Sequence, residues 1–428
     1  MAKIHLKDNS EVKEDDIKNS LIQFLANRNL ENLAKENLII FPPTIKESKD
    51  LKPDNYIFTS HNGQVWTRNI IGIIKKGDDE LQITSRFHKT NQPNEDYFLR
   101  YLLQKVLHYN VMKEQVSASQ SNDYYDLLIY LFPLYLGNAL KKGVYKEYVE
   151  RTYNDANIKG PIQLARHIKQ NVPFMGKVAY KAREFSYDNK VTQLVRHTMD
   201  YIQKERRFDL EDDLTIKENI RAIKQETPTY VAQARYEIVR ENVLDPVRHG
   251  YFVEYYDLQQ LCIQILRQEK IGFADDTDKI NGIIIDVAWL WEEYLATLLV
   301  DFEHSFEHPK GNESIYQSCS SGQVRPDFYN DKIVIDAKYK LLADKTIKRE
   351  DRFQIISYLH YRNAEKAGIL YPATETKLET EGILKGMGGE IFKQSLAIPQ
   401  NSDTYDRFVK TMKNAENDLK KDLSSYLN

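Results

Sequence analysis

The chain has 428 residues, enough for two or three domains that each bury their own core. With 41% hydrophobic residues, 29% charged residues and a net charge of −3, it reads as a soluble globular protein whose global charge does not announce a nucleic-acid binder. No apolar run reaches the length of a membrane span, the start MAKIHLKDNSEVKEDD lacks a secretory signal's apolar core, and Cys262 and Cys319 are too few for a disulfide framework or a four-ligand zinc site.

Cytoplasmic residence is therefore expected. Residues 1–20 alternate acid and base and read as a loose lead-in. From about Tyr56 to Phe87, short apolar runs alternate with turn material at His61-Asn62-Gly63 and at Lys75–Asp79, which predicts a β-meander. Helical periodicity begins near Asp96: YFLRYLLQKVLHYNV and DLLIYLFPLYLGNALKKGVYKEYVERTY both carry apolar stripes at i, i+3, i+4, rich in Tyr and Leu that suit core packing. After Gly160-Pro161 a polar, basic stretch leads into a helix in the second half of AREFSYDNKVTQLVRHTMDYI. HGYFVEYYDLQQLCIQILRQEKIGF is again helical, and the acidic loop Ala274–Lys279 marks a boundary. The tail from Ser402 to Asn428 has the pattern of a charged docking helix. The expectation is a multidomain α+β protein: a β-rich N-terminal domain over 1–110, a mainly helical middle domain over 111–275, and a C-terminal α/β domain over 276–428.

The chemistry concentrates in the third of these. Arg325-Pro326-Asp327 opens a short strand, Asn330 and Asp331 make a turn, and KIVIDAKYK is the return strand. Side chains alternate on that strand, so Asp336 and Lys338 share one face, presented outward, while Ile333, Ile335, Ala337 and Tyr339 pack inward. The hairpin brings Asp327 beside Asp336. Paired carboxylates suit Mg²⁺, which takes hard oxygen ligands and keeps several waters; Mn²⁺ should substitute. Lys338 would position or help deprotonate an attacking water, or balance charge in the transition state. The alternative is an exposed hairpin with cross-strand charge pairs.

Flanking helices extend the pattern. In DVAWLWEEYLATLLV an apolar stripe runs beside Glu292 and Glu293, either of which could supply a third carboxylate. Downstream, DRFQIISYLHYR places Gln354 and Tyr358 at i, i+4, where they could hold a phosphate or the lysine. AGILYPA reads as another buried strand, completing the order helix, strand, strand, helix, strand of an α/β nuclease core. Lys340, Lys345, Lys348, Arg349 and Arg352 lie just downstream of Lys338 and are candidate DNA contacts. A second basic stretch, from Lys159 to His197, carries eight Lys/Arg against Glu184 and Asp188, and suits a solvated face equally well.

At these residues the sequence resembles the PD-(D/E)xK nuclease superfamily, with Pro326-Asp327 and Asp336-Ala337-Lys338 filling its pattern and Gln354 and Tyr358 resembling the RecB-like QxxxY helix. More narrowly it resembles the McrC family, nuclease subunits of McrBC 5-methylcytosine restriction systems. The stretches that carry this are IIGIIKKGDDELQITSRF, KGPIQLARHIKQNVPF, REFSYDNKVTQLVRH and RPDFYNDKIVIDAKYK. The resemblance favours Glu292 over Glu293, because Trp291-Glu292 aligns with the family's Phe-Glu pair. It also implies a McrB-type AAA+ GTPase partner, docked through the N-terminal and middle regions and stimulated by this chain, with modified double-stranded DNA as substrate. GILKGMGGE lacks the spacing and the Gly-Lys-Ser/Thr ending of a phosphate-binding loop, so no nucleotide is expected to bind this chain itself. Two other readings are a subunit of a sequence-specific restriction system with the same kind of motor, and a non-catalytic activator of a partner NTPase.

Overall fold

The computed structural model describes residues 3–35, 38–41, 55–77, 79–87, 96–106, 123–204, 210, 214–267, 280–304, 313–314, 316, 323–341 and 346–427. The chain divides into two compact units, one formed by residues 1–108 together with 275–428 and the other by 109–274.

The first unit begins with structure where a loose lead-in is expected. In β1 (Lys3–Lys7) Ile4 and Leu6 alternate with exposed Lys3 and His5, so one face enters the core. Three short helices follow, α1 (Glu14–Ile17), α2 (Ser20–Ala26) and α3 (Leu30–Lys35), α2 being capped by the Asn19 side chain, which accepts from the Leu21 amide. Then come β2 (Leu38–Phe41), β3 (Phe58–His61), β4 (Gln64–Thr67), β5 (Ile70–Lys76), β6 (Asp79–Thr84) and α4 (Tyr97–Val106). The expected meander resolves into two antiparallel hairpins in different sheets: β3 with β4, turning at Asn62 and Gly63 in positive φ, and β5 with β6.

The second unit contains α5 (Asp123–Leu140), β7 (Glu147–Asp155), α6 (Leu164–Asn171), β8 (Val178–Ser186), α7 (Lys190–Lys204), α8 (Leu214–Glu226), α9 (Arg235–Leu244) and α10 (Glu254–Arg267). The helix expected to run from Asp126 through Tyr153 stops at Leu140, where Gly143 at φ +91° donates its amide back to the Leu140 carbonyl. Beyond it, β7 alternates half-buried and exposed residues and pairs antiparallel with β8 over nine residues, a period of two that wins over the helical stripe. α10 packs on α5 and α7 to make the helical core. The expected boundary loop at 274–279 lies outside the described residues.

The chain then returns to the first unit with β9 (Ile280–Asp286), α11 (Val287–Ala296), β10 (Glu303–His304), β11 (Glu313–Ser314), β12 (Gln323–Val324), β13 (Phe328–Tyr329), β14 (Ile333–Ala337), α12 (Arg349–Tyr361), β15 (Lys366–Ala373), β16 (Lys377–Ile383), β17 (Glu390–Ala397) and α13 (Tyr405–Leu427). Two sheets organise the unit. The five-stranded sheet has the order β1-β6-β5-β9-β2, and the six-stranded sheet β10-β13-β14-β15-β17-β16. Strand β9 sits in the N-terminal sheet, antiparallel to β5 and parallel to β2, so the segments expected as separate first and third domains share one sheet. Two glycines permit this. A Cβ on Gly72 would lie 2.0 Å from the Ile283 carbonyl oxygen, and one on Gly282 would lie 2.1 Å from that of Ile73.

In the six-stranded sheet β14, β15 and β17 run parallel, and β13 and β16 flank them antiparallel. Their near-continuous apolar sequences, IVIDA and KAGILYPA, are those of strands covered on both faces. The tail helix α13 packs on β16, β17 and α4, and its buried Glu416 accepts from the hydroxyls of Tyr101 (2.6 Å) and Tyr294 (2.9 Å). The fold is thus a mixed α/β multidomain one. Among the described residues no helix is long and apolar enough to cross a membrane.

Candidate active site

The site is built around β14. Phe328 pairs with Ile335 and Tyr329 with Val334, so one step further along this antiparallel register Asp327 lies opposite Asp336. The Asp327 Oδ2 accepts the Ala337 amide at 2.7 Å, which fixes its carboxylate against the neighbouring strand. Both carboxylates are buried, Asp336 completely. The face expected to be open is covered: Val334, two residues before Asp336, packs with Ile355, Tyr358 and Leu359 of α12. A central strand with helices on both faces has no solvent-facing side, so the carboxylates look into the protein instead.

The strand ends at Ala337, one residue before Lys338, whose amide still bonds the Leu370 carbonyl at 2.9 Å. Its ammonium sits 2.5 Å from Asp336 Oδ2 and donates to Gln354 Oε1 at 3.0 Å. Gln354 in turn donates to the Tyr358 hydroxyl at 2.7 Å. The i, i+4 pair on α12 therefore continues a polar chain that starts at a buried carboxylate, and the lysine's four-carbon arm is held at both its charge and its hydrogen-bonding side.

The side chain of Glu292 on α11 is buried, whereas Glu293 is only half-buried. α11 begins directly after β9, capped by Asp286, whose carboxylate accepts from the amides of Ala288 and Trp289. Glu292, Ala337 and Lys338 line one cleft of about 570 Å³. Among the described residues no three His, Cys, Asp or Glu side chains form a ready-made metal cluster. Two carboxylates on adjacent strands remain a donor set that fits an ion needing only one or two from the protein.

The expected DNA contacts divide. Lys340 and Lys348 line the cleft, Lys340 with its ammonium 2.6 Å from Asp351. Arg349 lies over the Phe353 ring, and Arg352 donates to the Ile347 carbonyl at the start of α12. Lys345 lies outside the described residues. The basic stretch from Lys159 to His197 spans α6, β8 and the start of α7, in the other unit.

Sequence reasoning missed a further part of the cleft lining, formed by Lys7, Asp8, Asn9, Ser10, Asn69 and Arg86. The only signal available was that Arg86 stands next to last in the ITSRF stretch; Asp8 sits in a segment that reads as a loose lead-in.

A family model described as the McrBC 5-methylcytosine restriction system component matches residues 65–372. The chain belongs to that family. The matched span of this McrBC-family chain takes in Asn69, Arg86, Glu292, the β13–β14 hairpin and the whole of α12, but not Asp8 or α13. Among solved structures, the chain is similar to a chain of the refined half-complex from a tetradecameric assembly of Thermococcus gammatolerans McrB AAA+ hexamers with bound McrC. That match has 16% identity and a TM-score of 0.46, and covers 96% of this chain and 100% of that one. A chain of the cryo-EM structure of the Thermococcus gammatolerans McrBC complex also matches, with 18% identity and a TM-score of 0.30, covering 70% of this chain and 87% of that one. No curated protein sequence matches.

Proposed function

We propose that this McrBC-family chain is the Mg²⁺-dependent DNA endonuclease subunit of a modification-dependent restriction complex, acting in the cytoplasm through a PD-(D/E)xK site. The observation that carries the reading is the juxtaposition of Asp327 and Asp336 on adjacent strands with Lys338, itself tied to Gln354 and Tyr358. Asp327 and Asp336 would hold the ion, and Glu292 would complete its protein ligands. A bound Mg²⁺ supplies charge neutralisation at the phosphoryl oxygens and an acidified water. Lys338 orients the attacking water or meets the charge that develops on the phosphate, and Gln354 holds the ammonium in place for that task. Lys340 and Lys348, lining the same cleft, would contact flanking phosphates of double-stranded DNA.

The partner in this reading is a McrB-type AAA+ GTPase that this chain stimulates. One surface of the second unit supports it. Leu164, Ile168 and Val172 recur every four residues along α6 and its C-cap, and all are more than half exposed. A solvent-facing apolar stripe at helical spacing, amid basic residues, suits a protein partner.

The test is cleavage of matched plasmids, one carrying 5-methylcytosine and one unmodified, by the chain with its GTPase partner, Mg²⁺ and GTP. The modified plasmid should be cut and the unmodified one spared, with the chain alone cutting poorly. Robust cleavage of modified plasmid by the lone chain would sink the two-subunit reading. Cleavage of the unmodified plasmid only would contradict modification dependence.

A further inference from the structure

We infer that Arg86, clamped by Asp8 and Asn69, is a positioning residue that holds Lys338 and Glu292 at their working separation within the cleft they both line. The cluster is closely built. The Asp8 Oδ2 accepts Nε of Arg86 at 2.9 Å and Nη2 at 2.5 Å, while Oδ1 accepts the Arg86 backbone amide at 2.5 Å. Nη2 also donates to the Asn69 Oδ1 at 2.8 Å. The Asp8 side chain is wholly buried and that of Arg86 is 9% exposed, so the guanidinium is held as a fixed plane.

The Asp8–Arg86–Asn69 cluster reaches both halves of the candidate site. The remaining guanidinium nitrogen, Nη1, points to the Tyr339 carbonyl at 3.5 Å, and the guanidinium carbon lies 4.5 Å from the centre of the Tyr339 ring. Tyr339 follows Lys338 where the chain has left β14, so Arg86 braces the segment beyond the last strand residue. The Tyr339 ring also packs against Trp291, the residue before Glu292, with ring centres 6.4 Å apart. On the other side, the Asn69 carbonyl accepts the Val287 amide at 3.1 Å, at the first residue of α11. One cluster from the N-terminal segment, anchored on buried Asp8, thus touches the segment that follows Lys338 and the element that carries Glu292. With its charge met by Asp8, Arg86 is better suited to fix geometry than to bind DNA.

The inference rests on the nuclease reading for its consequence in catalysis, but not for the placement of Lys338. Arg86→Lys in the full chain retains the charge and loses the fork that grips Asp8, Asn69 and Tyr339 together. Competitive acetylation with limiting acetic anhydride, read by mass spectrometry, should show Lys338 labelled roughly threefold faster or more in the variant, with exposed Lys3 unchanged as reference. With the partner GTPase and methylated plasmid, kcat should fall on the order of 10- to 100-fold while KM for DNA stays level. Asn69→Ala, a milder change, should move both readouts in the same direction and decides the matter if Arg86→Lys fails to fold. Unchanged labelling of Lys338 overturns the inference. So does a raised KM with kcat intact, which would make Arg86 a phosphate contact. A wild-type complex that does not cut sinks the nuclease reading alone, and the labelling arm still tests the clamp.

Discussion

Lys338 is held between two partners of different character. The Asp336 carboxylate neutralises its charge at 2.5 Å, and Gln354 fixes its direction at 3.0 Å without changing the charge balance. Removing the amide should therefore loosen the lysine without stranding a buried charge. Gln354→Ala is expected to cut cleavage on the order of 10-fold or more while leaving the melting temperature nearly unchanged, as activity assays and calorimetry on the same preparation would show. A second residue makes the pH dependence of the other unit predictable. His197 is fully buried beside Tyr230, and its pKa is pushed down from 6.5 to about 4, first by burial, then by Arg235, with Arg196 acting the same way and Asp200 opposing. A depressed folded-state pKa means that the unfolded chain takes up the proton first as pH falls. The stability it contributes is complete above about 6.5 and is lost as pH drops towards 4, on the order of 3 kcal/mol at its limit. Melting temperatures across pH 7 to 4 should fall less steeply for His197→Gln than for the wild type.

At the scale of elements, the sequence discloses what is local and periodic. The helices α4, α7, α10 and α12 and the β13–β14 hairpin follow from stripes, alternation and turn residues within a few positions of one another. For the same reason the pairing of Asp327 with Asp336 and the i, i+4 relation of Gln354 and Tyr358 are legible. Three features are not. β1 was hidden because a five-residue strand with charged outward positions resembles a solvated lead-in. β7 was hidden because EYVERTY satisfies a helical stripe until its partner β8, more than twenty residues on, is known. The Arg86 clamp was hidden because Arg86 and Tyr339 are 253 residues apart, and no local pattern reports a contact across that distance. The covered face of β14 has a related cause, since alternation shows which residues share a face but not what packs on it. The joint between β5 and β9 carries its own prediction. A methyl group on Gly282 would have to displace backbone at 2.1 Å, pushing β9, and α11 directly after it, away from the sheet. Gly282→Ala should destabilise the first unit by roughly 1–3 kcal/mol or more in chemical denaturation and reduce cleavage beyond its effect on folding. Unaltered stability would mean that the two strands are not in register as described.

At the scale of the whole molecule, the second unit is an insertion in the sequence of the first. Residues 1–108 and 275–428 together form the unit with the five- and six-stranded sheets, and the carboxylates, the lysine and the Arg86 clamp all belong to it. The exposed apolar stripe on α6 belongs to the other. The proposed cleavage chemistry thus lies in one unit and the proposed partner surface at that stripe in the other, so the two activities should separate by mutation. The most direct test is Lys338→Ala in the reconstituted complex, following DNA cleavage and partner GTP hydrolysis in the same samples. Cleavage should be abolished while stimulation of the GTPase stays at the wild-type level. Cleavage that survives the substitution would contradict the assignment of the site.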